Sequence, residues 1–370
     1  MPDHFQFNDE IQRLAREVGF DLAGVASAAD TAEHRFFPEW ISSGHAGDMR
    51  YLEARNDSGE LKRASLANAA PWARSVVVCA INYNSAQPYS THAGRTSQGW
   101  ISRYAWSGRD YHETLLTKLR RLESAFVSLC ETRIAGTPRT WCYVDTGPVI
   151  ERIFAKYAGI GWIGKNTCVL NEDLGSWLFL GVMLTSVPFT PAIPVTDRCG
   201  TCTRCLDACP THAFPLPYQL DATRCISYLT IEKRGSIPEE LRAGIGRQVF
   251  GCDICQDVCP WNRQAPVTSE PDFAARPTLV NPELEQLAEL GLDEFRQMFR
   301  GTPVKRAKHA GLLRNVAIAM GNSGEAKFMK ALAKLVEHDD PAVADAAAWA
   351  IRRLQSPAQR DADGPECENC

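Results

Sequence analysis

The sequence predicts an α+β fold in three successive parts, and three observations support this prediction. Short apolar stretches alternate with segments of helical periodicity over residues 1–195, as in an N-terminal α/β domain. A cysteine-rich block follows over 196–265 and indicates a domain organised around thiolate ligands. Residues 280–356 have the pattern of short helices joined by tight turns, and residues 357–370 form a polar tail.

The N-terminal part contains both strand and helix signals. Its candidate strands are short, apolar and rich in β-branched residues, and they lie at 21–25, 75–81 and 177–184. Leucines at helical spacing predict an amphipathic helix over 111–130. A shorter helix is predicted over 151–158, ending at Gly159, because glycine commonly follows the last residue of a helix.

The C-terminal part has the pattern of a HEAT-like repeat. One apolar helix is predicted over 311–321 and a second over 325–337, and Asp340 with the following proline begins a third. Little more than one repeat fits in this length. Since a single repeat cannot bury its own apolar face, we expect it to pack on the rest of the protein.

A basic strip, defined as Lys305, Arg306 and Lys308, comes just before these helices. Two interpretations stay open. The strip is either an ordinary solvated face or a set of contacts to phosphate groups. The net charge of −4 gives no global attraction to a polyanion, so any such site has to be a local basic surface.

The cysteine block carries the most specific signal in the chain. Its first run has the spacing C-x₂-C-x₂-C-x₃-C-P of bacterial ferredoxins, and its second run has the pieces C-x₂-C and C-x₃-C-P. Cys225 lies between the runs and supplies the eighth thiolate. Zinc sites and disulfides use other spacings. The block therefore predicts a bacterial-type two-cluster ferredoxin domain with two [4Fe–4S] clusters.

The spacing also predicts which cysteines share a cluster. Three closely spaced cysteines surround one cubane, and the cysteine that precedes proline ligates the other. The first cysteine set is therefore Cys199, Cys202, Cys205 and Cys259. The second cysteine set is Cys209, Cys225, Cys252 and Cys255.

The remaining features suggest a cytoplasmic protein. We find no signal peptide pattern at the N-terminus and no apolar run of membrane-spanning length, so no membrane association is expected. Cluster thiolates also suit a reducing compartment. Four scattered cysteines are expected to be small buried apolar residues: Cys79, Cys130, Cys142 and Cys168. Cys367 and Cys370, in the polar tail, receive no role.

The most distinctive stretch of the N-terminal part runs from 144 to 166. It contains Val-Asp145-Thr-Gly-Pro and then Ala-Gly-Ile-Gly-Trp-Ile-Gly-Lys165-Asn166. Dense glycines allow close approach of the backbone to a bulky ligand, although they also suit a tight turn. Asp145 is either a turn residue or a functional acid. No G-x-G-x-x-G follows a strand, so a dinucleotide site is not supported.

These motifs together resemble the epoxyqueuosine reductase family. The resemblance also includes R-C-I-S-Y-L-T-I-E from Arg224 and G-C-D-x-C-Q-x-V-C-P-W-N from Gly251, and it covers nearly the whole chain. It implies an oxidoreductase that reduces epoxyqueuosine to queuosine at the wobble position of tRNA. It further implies a cobalamin-binding N-terminal domain, two [4Fe–4S] clusters, a protein electron donor and a monomer.

The resemblance carries over to individual residues. It implies that Asp145 is the catalytic proton donor and also lines the cobalamin site. The other implied cobalamin contacts are Arg63, Ser102, Tyr104, Lys165, Asn166, Val169, Ser176, Leu180, Cys252 and Asp253. The implied tRNA contacts are Ser227, Lys233 and Arg234, together with the basic strip.

The chemistry is consistent with these roles. Conversion of an epoxide into an alkene takes two electrons and removes one oxygen as water, and the departing oxygen needs a proton. We expect Asp145 to stay protonated near neutral pH because burial disfavours its charged form. No D-x-H-x-x-G motif is found, which favours cobalamin without a histidine ligand. The alternatives are a dehalogenase-like corrinoid reductase of small molecules and a ferredoxin-type electron carrier.

Overall fold

The computed structural model describes residues 4–92, 94–133 and 136–356, so the predicted tail with Cys367 and Cys370 lies outside the described residues. The strands are β1 Leu22–Ser27, β2 Ser75–Asn82, β3 Trp100–Ile101, β4 Thr140–Tyr143, β5 Trp162–Ile163, β6 Val169–Leu170, β7 Leu178–Thr185 and β8 Gln248–Phe250. The α-helices are α1 His4–Glu17, α2 Phe36–Ser42, α3 Tyr111–Arg133, α4 Glu151–Tyr157, α5 Arg204–Asp207, α6 Ile226–Ile231, α7 Glu239–Ile245, α8 Ile254–Asp257, α9 Leu284–Ala288, α10 Leu292–Met298, α11 His309–Ser323, α12 Met329–Val336 and α13 Pro341–Gln355.

A four-stranded antiparallel sheet with the order β1-β2-β7-β4 forms the centre of the N-terminal part. The strand β2 is buried along its whole length because both faces of the sheet are covered. Successive side chains of a strand point to opposite faces. Val77 and Cys79 accordingly pack with α1 and α3, whereas Val76 and Val78 pack with α4. This explains why the strand is an uninterrupted apolar run in sequence.

The predicted mixture of helix and strand in this part is confirmed. The predicted helices at 111–130 and 151–158 correspond to α3 and α4, and Gly159 follows α4 with a φ of 75°. The burial of Cys79, Cys130 and Cys142 is also as expected. Among the described residues, no helix combines the length and the apolar character needed to cross a membrane.

The cluster segment contains only very short helices, and loops make up most of it. The helices α5 and α8 each have four residues, each begins directly beside a C-x₂-C pair, and the two helices contact each other. The two cysteine runs therefore have equivalent local structures. Such short elements cannot bury a core of their own, so this segment depends on its ligands and on its neighbours.

The helical end packs on the cluster segment, as expected for a unit too small to stand alone. The helix α11 contacts β8, α6 and α7. Asn315 in α11 is fully buried and donates to the carbonyl groups of Thr230 and Val249 at 2.8 and 2.9 Å. Arg314 is also buried and donates to backbone carbonyls of the same segment. These two residues fix the helical end to the cluster segment.

Candidate active site

A cavity of about 1660 Å³ lies beside Asp145 and is called the Asp145 cavity here. Its walls include α2, the segment from 145 to 153 and the segment from 217 to 220, and Arg306 of the helical end also lines it. All three parts of the chain therefore contribute to one site. A space of this size suits a large ligand rather than a small metabolite.

Asp145 follows β4 and has a φ of 58°, which is a left-handed conformation that few residues other than glycine adopt. This turn directs the side chain towards the cavity, where 62% of its surface is exposed. The hydroxyl of Tyr111 donates to Asp145 Oδ2 at 3.1 Å. Strained backbone at a cavity wall is a common feature of functional sites.

His112 lies between two carboxyl groups. Its Nδ1 is 2.7 Å from Asp110 Oδ1, and its Nε2 is 3.6 Å from Asp145 Oδ2. Asp110 is 7% exposed and also has Lys305 Nζ at 3.5 Å from its Oδ2. The result is a line of alternating charges that runs from the basic strip to the cavity.

These contacts determine the protonation of the pair. The neighbouring protonated imidazole of His112 lowers the pKa of Asp145 more strongly than burial raises it. Burial alone would lower the pKa of His112, but the hydrogen bond to Asp110 and the proximity of the Asp145 carboxylate raise it to about 9. The protonated imidazole therefore favours the carboxylate form of Asp145 in this structure, and a protonated Asp145 beneath a corrin ring stays a prediction.

Glu151 is the carboxyl group of this cavity that titrates near neutrality. Burial raises its pKa to about 7, and the charge of Asp145 acts in the same direction. Its Oε1 is buried without a hydrogen-bond partner. Buried polar atoms normally have partners. This oxygen is therefore suited to a polar group of a bound ligand.

The dense glycines have a different role from the one considered first. A Cβ atom at Gly161 would lie 2.1 Å from the carbonyl oxygen of Leu170, and one at Gly164 would lie 2.1 Å from the Leu170 side chain. At Gly147 it would meet the ring of Tyr143. These glycines make room for the protein's own β6 and β4 regions, which agrees with the alternative of a tight turn.

Of the predicted cobalamin contacts, Arg63 and Asp145 line the cavity. The guanidinium group of Arg63 donates to the carbonyl of Gly147 at 2.7 Å and to that of Tyr51 at 3.0 Å. Arg63 therefore holds the backbone two residues beyond Asp145. Its contacts support the loop that carries the acid.

Three other predicted contacts are hydrogen-bonded to the second cysteine run. Ser102 Oγ donates to Asp253 Oδ1 at 2.6 Å, and the amide of Asn166 donates to the carbonyl of Cys255 at 3.3 Å. Ser176 Oγ is 2.8 Å from the side-chain oxygen of Gln256. The N-terminal part is thus fastened directly to the loop between Cys252 and Gln256.

The remaining predicted contacts have structural surroundings of their own. Lys165 Nζ donates to the carbonyls of Gly200 and Cys202 at 2.7 and 2.9 Å, which ties it to the first cysteine run. The ring of Tyr104 packs against Tyr111 at a centroid distance of 6.1 Å. Val169 and Leu180 lie in β6 and β7.

The assignment of cysteines to the two sets stays a prediction, and two of the thiols have neighbouring thiols that belong to the same predicted sets. Burial raises the pKa of Cys259 to about 12, and the nearby Cys205 and Cys199 act in the same direction. Cys252 is influenced in the same way by Cys225 and Cys209. No group of three or more His, Cys, Asp or Glu side chains in the described ranges converges on a single ion position. A cubane does not need such a point, because each of its irons takes one thiolate.

Cys168 is not the isolated buried residue that the sequence suggested. It is partly exposed, and a hydrogen bond with Cys255 lowers its pKa to about 7. The reason is that the turn of Thr167, with a φ of 63°, brings Cys168 to the second cysteine run. A ninth sulfur therefore lies next to the cluster ligands.

The predicted tRNA contacts differ in their exposure and in the contacts that they already make within the protein. Lys233 Nζ pairs with Asp48 at 3.0 Å, and Arg234 donates to carbonyls of the 303–307 segment. The backbone of Ser227 hydrogen-bonds the sulfur of Cys225. The basic strip is exposed in all three of its residues. Arg306 forms an ion pair with Glu232, so only part of the positive charge is unopposed.

Three residues beside Asp145 were not predicted from the sequence: Asp110, Tyr111 and His112. Asp110 directly precedes α3 and the other two begin it, and Tyr111 and His112 contact Asp145 only because α3 packs beside β4. A signal was present, since a Tyr-His pair directly after an aspartate places two polar groups on the first turn of a helix. Spacing alone does not indicate that Asp145 is their partner.

Comparison with known proteins matches this architecture. A family profile described as "4Fe-4S double cluster binding domain" covers residues 198–262, and one described as "Epoxyqueuosine reductase QueG, DUF1730" covers residues 63–146. The first match includes the eight cysteines of the two sets, so this segment holds two [4Fe–4S] clusters.

Full-length relatives give the same result. The epoxyqueuosine reductase of Xanthomonas campestris pv. campestris is 38% identical over 355 residues, which are 95% of this chain and 97% of the relative. That of Pseudomonas aeruginosa is 39% identical over 357 residues, or 95% and 96% of the two chains.

Solved structures agree with these relatives. A crystal structure of epoxyqueuosine reductase with an epoxyqueuosine-modified tRNA stem loop has a TM-score of 0.83 and 32% identity, covering 96% of this chain and 92% of its own. A Bacillus subtilis structure with the catalytic loop swung out of the active site has a TM-score of 0.82 and 31% identity, covering 96% and 92%. The chain therefore belongs to the epoxyqueuosine reductase family.

Proposed function

We propose that this chain reduces epoxyqueuosine to queuosine at the wobble position of tRNA, using cobalamin and its two [4Fe–4S] clusters. The observation that carries the proposal is the Asp145 cavity, which places an acid with a proton-bearing neighbour in a space large enough for a corrinoid and a nucleoside. The full-length similarity to relatives of this activity supports the same conclusion.

The residues present fit a corrinoid. The cavity measures about 1660 Å³, and the unpaired side-chain oxygen of Glu151 can accept from an amide group at the edge of a corrin ring. When bound, cobalamin supplies a strongly reduced cobalt centre. We propose that Arg63, Asp145 and the chain segments through Ser102, Lys165 and Ser176 hold it. The other proposed contacts are Tyr104, Asn166, Val169, Leu180, Cys252 and Asp253.

The chain's own residues have three tasks in this reaction. The first and second cysteine sets hold the clusters that pass electrons singly, and we propose cross-ligation with Cys259 in the first set and Cys209 in the second. Hydrogen bonds of Ser102, Lys165 and Asn166 hold the N-terminal part against both cysteine runs. Asp145 delivers a proton to the departing oxygen.

We further propose a division of labour among the parts of the chain. Residues 1–195 hold the cofactor and the modified base, residues 196–265 hold the clusters, and residues 280–356 form a HEAT-like unit that carries the basic strip. An anticodon loop can place one base in a cavity while basic side chains hold its phosphates. We also propose tRNA contacts for Ser227, Lys233 and Arg234. Each of these residues already makes an ionic or backbone contact within the protein.

We propose that the protein acts as a monomer. We propose that it acts in the cytoplasm, since its substrate is tRNA, and that an external protein supplies the electrons. The membrane has no part in this proposal.

The test is a turnover assay with anaerobically reconstituted protein. The protein is loaded with iron, sulfide and cobalamin, and its visible spectrum is recorded after gel filtration. We expect corrin bands together with the broad cluster absorption. We then expect an epoxyqueuosine-containing anticodon stem-loop to lose one oxygen atom by mass spectrometry under a low-potential reductant. A stem-loop with guanosine at the wobble position is the matched control.

Two results would contradict the proposal. Cluster absorption without retained corrin would leave only a ferredoxin-type carrier. Retained corrin with reduction of a halogenated aromatic compound, but not of the stem-loop, would indicate a small-molecule reductase.

A further inference from the structure

We propose that His112 supplies the proton that Asp145 delivers to the substrate oxygen, and that Asp110 holds His112 in position for this transfer. The inference rests on the proposed function and adds a proton source to it. His112 acts through Asp145, so it is a positioning and proton-supplying residue rather than one that touches the substrate.

The orientation of the imidazole is the first argument. Both the Nδ1 atom and the backbone nitrogen of His112 contact Asp110 Oδ1, at 2.7 and 3.2 Å. A carboxylate at Nδ1 requires a proton on that nitrogen, so Nε2 is the atom that faces Asp145. The arrangement of a buried aspartate, a histidine and an acceptor is the geometry by which an aspartate fixes the tautomer of a catalytic histidine.

The rigidity of the neighbouring ring is the second argument. The ring of Tyr111 stacks on His112 at 4.0 Å between centroids and on Phe179 at 4.2 Å with an interplanar angle of 2°. Tyr111 also donates to Asp145 Oδ2. Two consecutive residues of α3 therefore hold the same carboxylate oxygen. The distance of 3.6 Å from His112 Nε2 is longer than a hydrogen bond, and such contacts often shorten when substrate is bound.

The charges around the pair form the third argument. The groups that face Asp145 from the surrounding elements are His112, Tyr111, Tyr104, Tyr51, Glu151, Arg152 and Arg306. The groups that face His112 are the carboxylates of Asp110 and Asp145. With a pKa of about 9, His112 carries its proton at neutral pH, whereas Asp145 does not. The proton available at neutral pH is therefore stored on the imidazole.

The proposed step is a proton transfer that balances with the reduction. The complete reaction consumes two electrons and two protons, breaks both carbon–oxygen bonds of the epoxide and releases one water. The clusters supply the electrons. One proton passes from Nε2 of His112 through the carboxylate of Asp145 to the departing oxygen, and the second proton that completes the water comes from solvent. This leaves a neutral imidazole, which takes its next proton from solvent, since 31% of its side chain is exposed.

The test compares pH–rate profiles of single-turnover reduction at saturating stem-loop. For the unmodified sequence, the rate should fall as pH rises through about 9, because the imidazolium is lost there. His112→Gln should lower the rate at pH 7 by about 10² or more and remove the descending limb, whereas cluster absorption, corrin retention and stem-loop affinity stay unchanged. Asp110→Asn should keep the limb but move it to lower pH.

Glu113→Gln is the matched control, because Glu113 lies on the same turn of α3 with 63% of its side chain exposed. It should leave rate and profile unchanged. A descending limb near pH 9 that persists in His112→Gln would overturn the proposal, and so would a loss of rate that is equal at every pH. Loss of turnover in Glu151→Gln but not in His112→Gln would assign the proton to Glu151 instead.

A second measurement separates this proposal from the proposed function. The His112 ring is titrated by NMR in the oxidised holoenzyme without substrate, with His112→Gln used to assign the signal. We expect a pKa near 9 that falls in Asp145→Asn. An ordinary histidine pKa would overturn the inference even if the stem-loop is reduced. A raised pKa together with an inactive enzyme would contradict the proposed function only.

Discussion

Carboxyl groups have charged partners beside the Asp145 cavity but neutral hydrogen-bond donors in the loops that hold the clusters. In the cavity, Asp145 and Asp110 lie beside protonated His112 and Lys305, so charge is balanced by charge. In the cluster loops, Asp253 is 4% exposed and takes its hydrogen bonds from a hydroxyl and a backbone N–H, those of Ser102 and Arg103. The first environment favours movement of protons, and the second favours a fixed structure.

Asp257 follows the second pattern. Its Oδ2 accepts from the hydroxyl of Ser90 at 2.5 Å and from the backbone of Thr91 at 3.2 Å. Both aspartates of the second cysteine run therefore act as links between the N-terminal part and the cluster loops. Under the proposed function, the proton source lies on α3, whereas the loops that hold the clusters are fixed by neutral donors.

The largest expected effect comes from breaking the cluster side. Cys259→Ala should destroy the cluster of the first cysteine set and abolish turnover, because each cubane needs four thiolates. Its EPR spectrum should match that of Cys205→Ala and differ from that of Cys252→Ala. Cys142→Ala, at an equally buried cysteine outside both sets, is the control and should keep both clusters. A match with Cys252→Ala would refute the proposed cross-ligation.

The next effect comes from the cavity side. Asp145→Asn removes the proton-carrying oxygen but keeps the size of the side chain and its ability to accept from Tyr111. Turnover should fall by about 10² to 10⁴, the usual contribution of a general acid. The spectrum and stem-loop binding should remain unchanged, which a gel-shift assay and visible absorption can check. A rate near that of the unmodified sequence would mean that Asp145 is only a turn residue with a left-handed backbone.

The two regions also differ in what sequence alone could establish. The two-cluster segment could be recognised from spacing, because most ligands of a cluster-binding loop are close in sequence, and the proposed sets rest on the same spacing. The strands β2 and β7 and the helix α3 were equally accessible, since burial leaves a periodic pattern. Their mutual arrangement is what places His112 next to Asp145, and no local pattern encodes that contact.

Protonation was the least predictable property of the site. Burial of Asp145 alone suggested a neutral acid, whereas a histidine 33 positions earlier in the chain lowers the pKa of this carboxyl group. The glycines from 159 to 164 suggested a ligand, and only the close approach of Leu170 reveals their packing role. In each case the deciding group comes from another segment, and a single sequence without its contacts does not identify it.

The smallest expected effect concerns the basic strip, which lies at the outer end of the charge line that reaches Asp145. Replacing Lys305, Arg306 and Lys308 with Ala should weaken stem-loop binding and reduce its salt dependence. Each phosphate contact contributes about 0.7 to 0.9 to the slope of log K against log salt, so three contacts would remove about 2. The reduction should be smaller than this, because Arg306 already pairs with Glu232 and Lys305 with Asp110.

KM should rise more than kcat falls, since phosphate contacts hold the ground state and the transition state alike. A matched triple replacement of exposed Lys327, Lys330 and Lys334 removes the same charge from another face and should change neither slope nor KM. Equal slopes for the two triple variants would mean that the basic strip is only a solvated face.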